Sequence, residues 1–135
     1  MCIIIYKPEN TKLPGQDILS RCWSSNRDGA GFMLPSGGYV HGSKGYMDLQ
    51  ALAKALDSIP YSSLAVVHFR YATHGKIDRA TTHPFPISHK ITDLKKTTWS
   101  GRYGIAHNGV IAGYGDKTIS DTQDFLKVGD FVRLS

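Results

Sequence analysis

The run at residues 64–72, Leu-Ala-Val-Val-His-Phe-Arg-Tyr-Ala, is apolar and β-branched yet carries a histidine and an arginine inside it. Its composition predicts a strand. Side chains of an extended segment alternate with period two, so His68, Arg70, Ala72 and His74 point to one side. Any fold built on this strand must house that polar row beside apolar neighbours.

Other elements are set by local signals. Residues 3–6 are β-branched and aromatic and are stopped by Pro8, which predicts a short buried strand. Pro14 and Gly15 break the chain, and a short helix is expected at 17–23. Residues 29–34 and 39–41 predict a hairpin around Pro35-Ser36-Gly37-Gly38, whose glycines permit positive φ. At 48–56, Leu49, Leu52, Ala53 and Leu56 recur at helical spacing between Asp48 and Pro60. The stretch 76–102, rich in Thr, Pro, Lys and His, reads as a long loop of the kind that carries function in a compact domain. Strand character resumes at 103–111. Ser120-Asp121-Thr122-Gln123 fits a capping box, so a last helix begins at Asp121 and ends before Gly129.

Cys2 stands directly behind Met1, at the head of the first strand. Methionine aminopeptidase trims Met1 before a small residue, and the mature chain would then carry a thiol and a free α-amine on one residue. A free thiol titrates near ~8.5 and an α-amine near ~7.7–8.0, so the pair can exchange a proton at neutral pH. While Met1 is attached it acylates that amine, which removes the base. A free cysteine opening a strand can equally be a small buried hydrophobe.

With 135 residues, 41% hydrophobic and 20% charged, the chain reads as one soluble domain, 1–135, able to bury about two-thirds of its unfolded surface. No apolar stretch approaches the ~20 residues of a membrane span, and no signal peptide is seen, so a cytoplasmic location is expected. Cys2 and Cys22 lack metal or redox spacing and are expected reduced. His68 and His74 have no third ligand, so no metal is expected, and no cofactor. The net charge of +5 is scattered, with Lys95-Lys96 the densest pair. It reads as a solvated face and gives only weak support to nucleic acid as a partner.

Five ordered pieces then carry a resemblance: Met1-Cys2, Asn26-Arg27-Asp28-Gly29-Ala30-Gly31, the block from His68 to Gly75, Thr82-His83-Pro84-Phe85-Pro86, and His107-Asn108-Gly109 followed by Ser120-Asp121-Thr122. Together they resemble class II glutamine amidotransferases, which are N-terminal-nucleophile hydrolases, and a subgroup of uncharacterised phage and bacterial proteins. The resemblance implies an α+β fold, an αββα sandwich, as a single glutamine amidotransferase type 2-like domain. It implies Cys2 as nucleophile, with the Asn108 side-chain amide and the Gly109 N–H as oxyanion hole. It implies Arg70 on the α-carboxylate of L-glutamine and Asp121 on its α-ammonium, with Thr73, His74 and His83 in the same pocket.

These assignments suit the chemistry, since amide hydrolysis needs a thiolate, oxyanion donors and clamps for the amino-acid end. Taken singly, each has a structural explanation. Arg70 could pair a buried carboxylate, Asn108-Gly109 is an ordinary turn dipeptide, Asp121 suits the first turn of a helix, and His41, His89 and His107 read as structural. Ile3 stands where many family members have glycine, and Tyr71 where many have tryptophan. Residues 110–135 are few for the family's second sheet, so the chain is expected to be a fragment, a shortened descendant, or one completed by a protein partner or by self-association. Glutamine amide hydrolysis with release of ammonia is the favoured function. The alternative, compatible with phage origin, is a catalytically retired descendant that binds a host protein or nucleic acid.

Overall fold

In the computed structural model, which describes residues 1–128, the apolar run becomes an interior strand. The chain forms strands β1 (Ile3–Lys7), β2 (Ala30–Ser36), β3 (Tyr39–Tyr46), β4 (Ala65–Phe69), β5 (Phe85–Pro86), β6 (Thr98–Gly101) and β7 (Gly104–Ile105). Helices α1 (Gln16–Ser25), α2 (Leu49–Leu56), α3 (Ile91–Leu94) and α4 (Asp121–Val128) complete it, with a single 3-10 turn at Arg79–Thr81. Five strands make an antiparallel sheet of order β1-β4-β2-β3-β6, and β5 pairs with β7 in a second, two-stranded sheet. No helix among the described residues is long and apolar enough to cross a membrane.

Directly opposed residues of neighbouring strands share a face. Ile3 and Ala30 oppose Phe69, and Ile5 and Phe32 oppose Val67, which makes one side continuously apolar. Leu19 and Cys22 of α1 and Leu52 and Leu56 of α2 cover that side and join it in one buried cluster. Full burial of each such side chain is worth roughly 1.5–3 kcal/mol. The other face carries Ile4, His68, Gly31 and Lys44 toward one end and Tyr6, Val66 and Met33 toward the other. The first end is covered by the segment beyond the 3-10 turn. A Cβ on Gly31 would lie 2.3 Å from the His83 carbonyl oxygen, so only glycine allows this approach. Phe85, Leu94 and Leu126 form a second core from β5, α3 and α4. At the other end Tyr6 is 62% exposed, which leaves part of the sheet uncovered.

Local signals were accurate. Asp48 caps α2 by accepting from the Ala51 N–H at 2.8 Å. Gly37 and Gly38 both have positive φ between β2 and β3. Ser120 and Gln123 exchange hydrogen bonds of 3.1 and 3.0 Å to form the expected capping box of α4.

Two expectations are corrected. The stretch 76–102 is not a plain loop: it holds the 3-10 turn, β5, α3 and β6. Its order comes from afar, since the buried Lys44 ammonium donates to the Ala80 and Leu94 carbonyls at 3.0 and 2.7 Å, and Trp99 donates to the Pro84 carbonyl at 3.1 Å. The strand expected at 103–111 shrinks to Gly104–Ile105. The backbone of His107 serves two imidazoles instead of a strand partner.

Lys44 also sets its Nζ 3.9 Å from the centre of the Phe85 ring. Burial lowers its pKa from 10.5 to about 7, against the opposing pull of Asp78. Between those values the folded chain binds fewer protons than the unfolded one, so stability rises with pH across that window and flattens above it. The Lys44 contribution to urea-unfolding free energy should therefore increase from pH 7 to pH 9 by about 1 kcal/mol per unit. Lys44→Met should lose that increment, and equal pH slopes for the two proteins would exclude it.

Candidate active site

β4 ends at Phe69, and the chain leaves the sheet through Arg70, Tyr71 and Ala72. The strand expected over 64–72 is thus shorter: His68 lies in it, whereas Arg70, Ala72 and His74 lie beyond its end. The departure is gripped by the 26–31 segment. Arg70 N–H donates to the Gly29 carbonyl at 2.8 Å, Asp28 N–H to the Arg70 carbonyl at 3.1 Å, and Ala72 N–H to the Asp28 carboxylate at 2.8 Å.

The Arg70 side chain organises the loop beyond the strand. It is 3% exposed and donates to the His74 carbonyl (2.7 Å), the Lys76 carbonyl (2.7 Å) and Thr81 Oγ1 (2.6 Å). Three of its five N–H donors thus hold its own loop, and two stay available. Burial lowers its pKa, and Asp28 leads the opposing carboxylates.

Cys2 sits against this exit. Tyr71 N–H donates to Cys2 Sγ at 3.3 Å, and the thiol faces the Tyr71 carbonyl at 3.7 Å. Burial raises the thiol pKa, partly offset by the Tyr71 hydrogen bond, the charged N-terminus and Arg70. The Met1 carbonyl accepts from Asn26 Nδ2.

A small, partly open cleft is lined by Cys2, Arg70, Tyr71, Thr73, His74, His83, His107, Gly109, Ser120, Asp121 and Thr122. Seven of the eight residues selected from sequence therefore meet at one place: Cys2, Arg70, Thr73, His74, His83, Gly109 and Asp121. Asn108 does not: it is exposed and outside the lining. Gly109 beside it has φ +131°, a conformation that side chains other than glycine's rarely permit.

Asp121 is 6% exposed, and its carboxylate accepts from Ile111 N–H at 2.6 Å and Thr122 N–H at 2.9 Å. A carboxylate has about four acceptor positions, so it retains capacity for a further donor. The loops meet at Gly75 and Gly115, where a Cβ would lie 2.8 Å from the nitrogen of Ser120 and of Asp121 respectively.

His107, read from sequence as structural, fixes two other histidines. Its carbonyl accepts from His68 Nε2–H at 3.1 Å, and its N–H donates to His83 Nδ1 at 3.2 Å. The His68 and His83 rings stack 4.1 Å apart. Burial lowers the His68 pKa to about 4 and that of His83 well below its ordinary value, so both are neutral. A neutral His83 that accepts at Nδ1 must carry its proton on Nε2. It therefore enters the cleft as a donor. Among the described residues no group of three or more His, Cys, Asp or Glu side chains could hold a metal.

Sequence reasoning passed over Asn26 as a functional residue, and Tyr71, Ser120 and Thr122 as lining. All four lie inside the pieces that carry the resemblance, and that membership was the signal that could have found them.

The chain is similar to glutamine–fructose-6-phosphate aminotransferases of the isomerizing type. It is 31% identical over 119 residues to that of Symbiobacterium thermophilum, a match covering 86% of this chain and 18% of the relative. With the enzyme of Corynebacterium diphtheriae it is 28% identical over 127 residues, covering 86% and 19%. With that of Bacillus licheniformis it is 32% identical over 87 residues, covering 64% and 13%. The chain thus spans less than a fifth of these relatives. No protein-family profile matches it, and no solved structure matches it.

Arg70→Lys tests the loop. One ammonium cannot satisfy three acceptors arranged around a planar fork, and each buried acceptor left unpaired costs about 1–3 kcal/mol. Unfolding in urea should show a loss of at least about 1 kcal/mol, with faster tryptic cleavage at Lys76 and Arg79. Unchanged stability and cleavage would remove the structural role.

Proposed function

We propose that the chain is a glutamine amide hydrolase of the class II amidotransferase kind, acting through Cys2. The convergence of Cys2, Arg70, Gly109 and Asp121 on one cleft, from segments far apart in sequence, carries this reading. Similarity to enzymes named for their use of glutamine supports it. The helices on one face of the main sheet, and the small sheet with α3 and α4 on the other, support an αββα arrangement with a two-stranded second sheet among the described residues.

In this proposal Met1 is removed and the Cys2 amine takes the thiol proton. The thiolate attacks the side-chain amide carbon of L-glutamine, and the oxygen becomes an oxyanion. Gly109 N–H is one donor for it, and the Asn108 amide becomes the second by turning inward about the Gly109 linkage. The C–N bond then breaks, the amine's proton passes to the leaving nitrogen as ammonia departs, and a Cys2 thioester remains. Water cleaves the thioester to give glutamate and restores the thiol. The two available Arg70 donors take the substrate α-carboxylate and Asp121 takes its α-ammonium. Thr73, His74 and the His83 Nε2–H complete the pocket.

A second reading rests on Asn108, which stands outside the cleft, and on the engaged Met1 carbonyl. It makes the chain a retired descendant that uses the cleft, or the uncovered sheet end at Tyr6, to bind a protein.

The glutamine mimic 6-diazo-5-oxo-norleucine separates the two. Once Met1 is removed, peptide mapping should find Cys2 alkylated and Cys22 untouched, because Cys22 is buried in the core beneath α1. Labelling of both thiols at equal rates, or of neither, would overturn the hydrolase reading.

A further inference from the structure

Asn26 is a buried polar group that the proposed reaction leaves unused. It is 3% exposed, and its backbone N–H donates to the Cys22 carbonyl at 3.0 Å as the C-cap of α1. Two residues on, Asp28 is bonded to Ala72 N–H and Arg70 carbonyl at the strand exit that also holds Cys2 Sγ. The Asn26 amide is therefore fixed between a helix end and the strand exit. It points at the first peptide bond of the chain, donating to the Met1 carbonyl.

Hydrolysis of that bond removes the partner. The carbonyl oxygen leaves with methionine, and the Cys2 nitrogen, separated from that oxygen by one carbon, becomes an amine. A buried Asn26 amide would then have no acceptor, which is costly. Its terminal torsion is broad and roughly two-fold, so a half-turn presents Oδ1 in place of Nδ2. An α-amine at the vacated position is the donor that Oδ1 would meet.

We propose that Asn26 is the positioning residue for the Cys2 α-amine: it holds the Met1 carbonyl in the unprocessed chain and, after removal of Met1, accepts a hydrogen bond from the amine. Holding one N–H this way orients the amine so that its lone pair can face the thiol. The inference rests on the reading of Cys2 as an N-terminal nucleophile. The charged groups acting on Cys2 are the N-terminus, Arg70 and Asp121, and the titratable rings lining the same cleft are His74, His83 and His107. Asp28 lies on the same segment as Asn26 and bonds the strand exit.

The test uses protein prepared to begin at Cys2, with nitrogen-15 in that residue. The amine titration is followed by NMR, and glutamine hydrolysis by ammonia release. Asn26→Asp places a carboxylate where the amide oxygen would be, and should raise the amine pKa by about one unit or more. The acidic limb of the rate–pH profile should move up with it. Asn26→Ala should reduce kcat about tenfold or more with KM nearly unchanged, since the residue touches the base and not the substrate. An amine titration unmoved in Asn26→Asp overturns the inference, even if Asn26→Ala fails to fold. If the titration moves while none of the proteins releases ammonia, the Asn26 assignment stands and the hydrolase reading falls. If ammonia is released and neither titration nor kcat responds, the reverse holds.

Discussion

The site depends on a guanidinium that faces inward. Arg70 comes directly after the last residue of β4, and from there it binds carbonyls at 74 and 76 and a hydroxyl at 81. A buried cation on a strand is costly unless its donors are satisfied. The 71–81 segment bends back around it, and that bend brings Thr73 and His74 to the cleft that Cys2 also lines. The glycines sharpen the same point. Gly29 and Gly31 let Thr82 and His83 lie directly on β2, because a Cβ at either would come within 2.3 Å of them. The Asn26–Gly31 and Thr82–Pro86 pieces, which look unrelated in sequence, are therefore the two sides of one close contact.

The histidines are organised by a backbone. One residue's main chain accepts from His68 through the His107 carbonyl and donates to His83 through the His107 N–H, so the protons of two stacked rings are assigned without any side-chain acid. Burial keeps both rings neutral. Neutral imidazoles can stack at this distance without the repulsion that two imidazolium ions would suffer. His83 is thus a fixed donor unsuited to accepting a proton near neutrality, which leaves the base of any reaction at Cys2 to come from elsewhere.

What the sequence made legible was short in range. The caps at Asp48 and Ser120, the Gly37-Gly38 turn and the alternation from Val67 to Phe69 involve residues within a few positions of each other, where spacing is the geometry. The order in 76–105 was hidden because it is imposed by Lys44 and by the face of Gly42, against which Trp99 packs so closely that a Cβ would lie 2.0 Å away. Neither is visible in a stretch whose own composition is polar. The site was legible through resemblance in its parts: the selected residues meet at the cleft, except Asn108. Its neighbour His107 was discounted as a lone histidine because its role is exercised by its backbone, which carries no sequence signature.

These constraints converge on the first peptide bond. Burial against Tyr71 raises the pKa of the Cys2 thiol, so the folded environment by itself favours the unreactive protonated form. Arg70 pulls the other way, but it is already shared among loop acceptors. The neighbouring His83 is held neutral with its proton committed. The charged N-terminus also pulls the thiol down, but no base is available while Met1 acylates Cys2, and one would appear on the Cys2 nitrogen when Met1 is gone. In the proposed reading, reactivity at Cys2 is contingent on a processing event at the same residue, and the geometry that makes the thiol quiet in the unprocessed chain is the geometry that would place a new amine beside it.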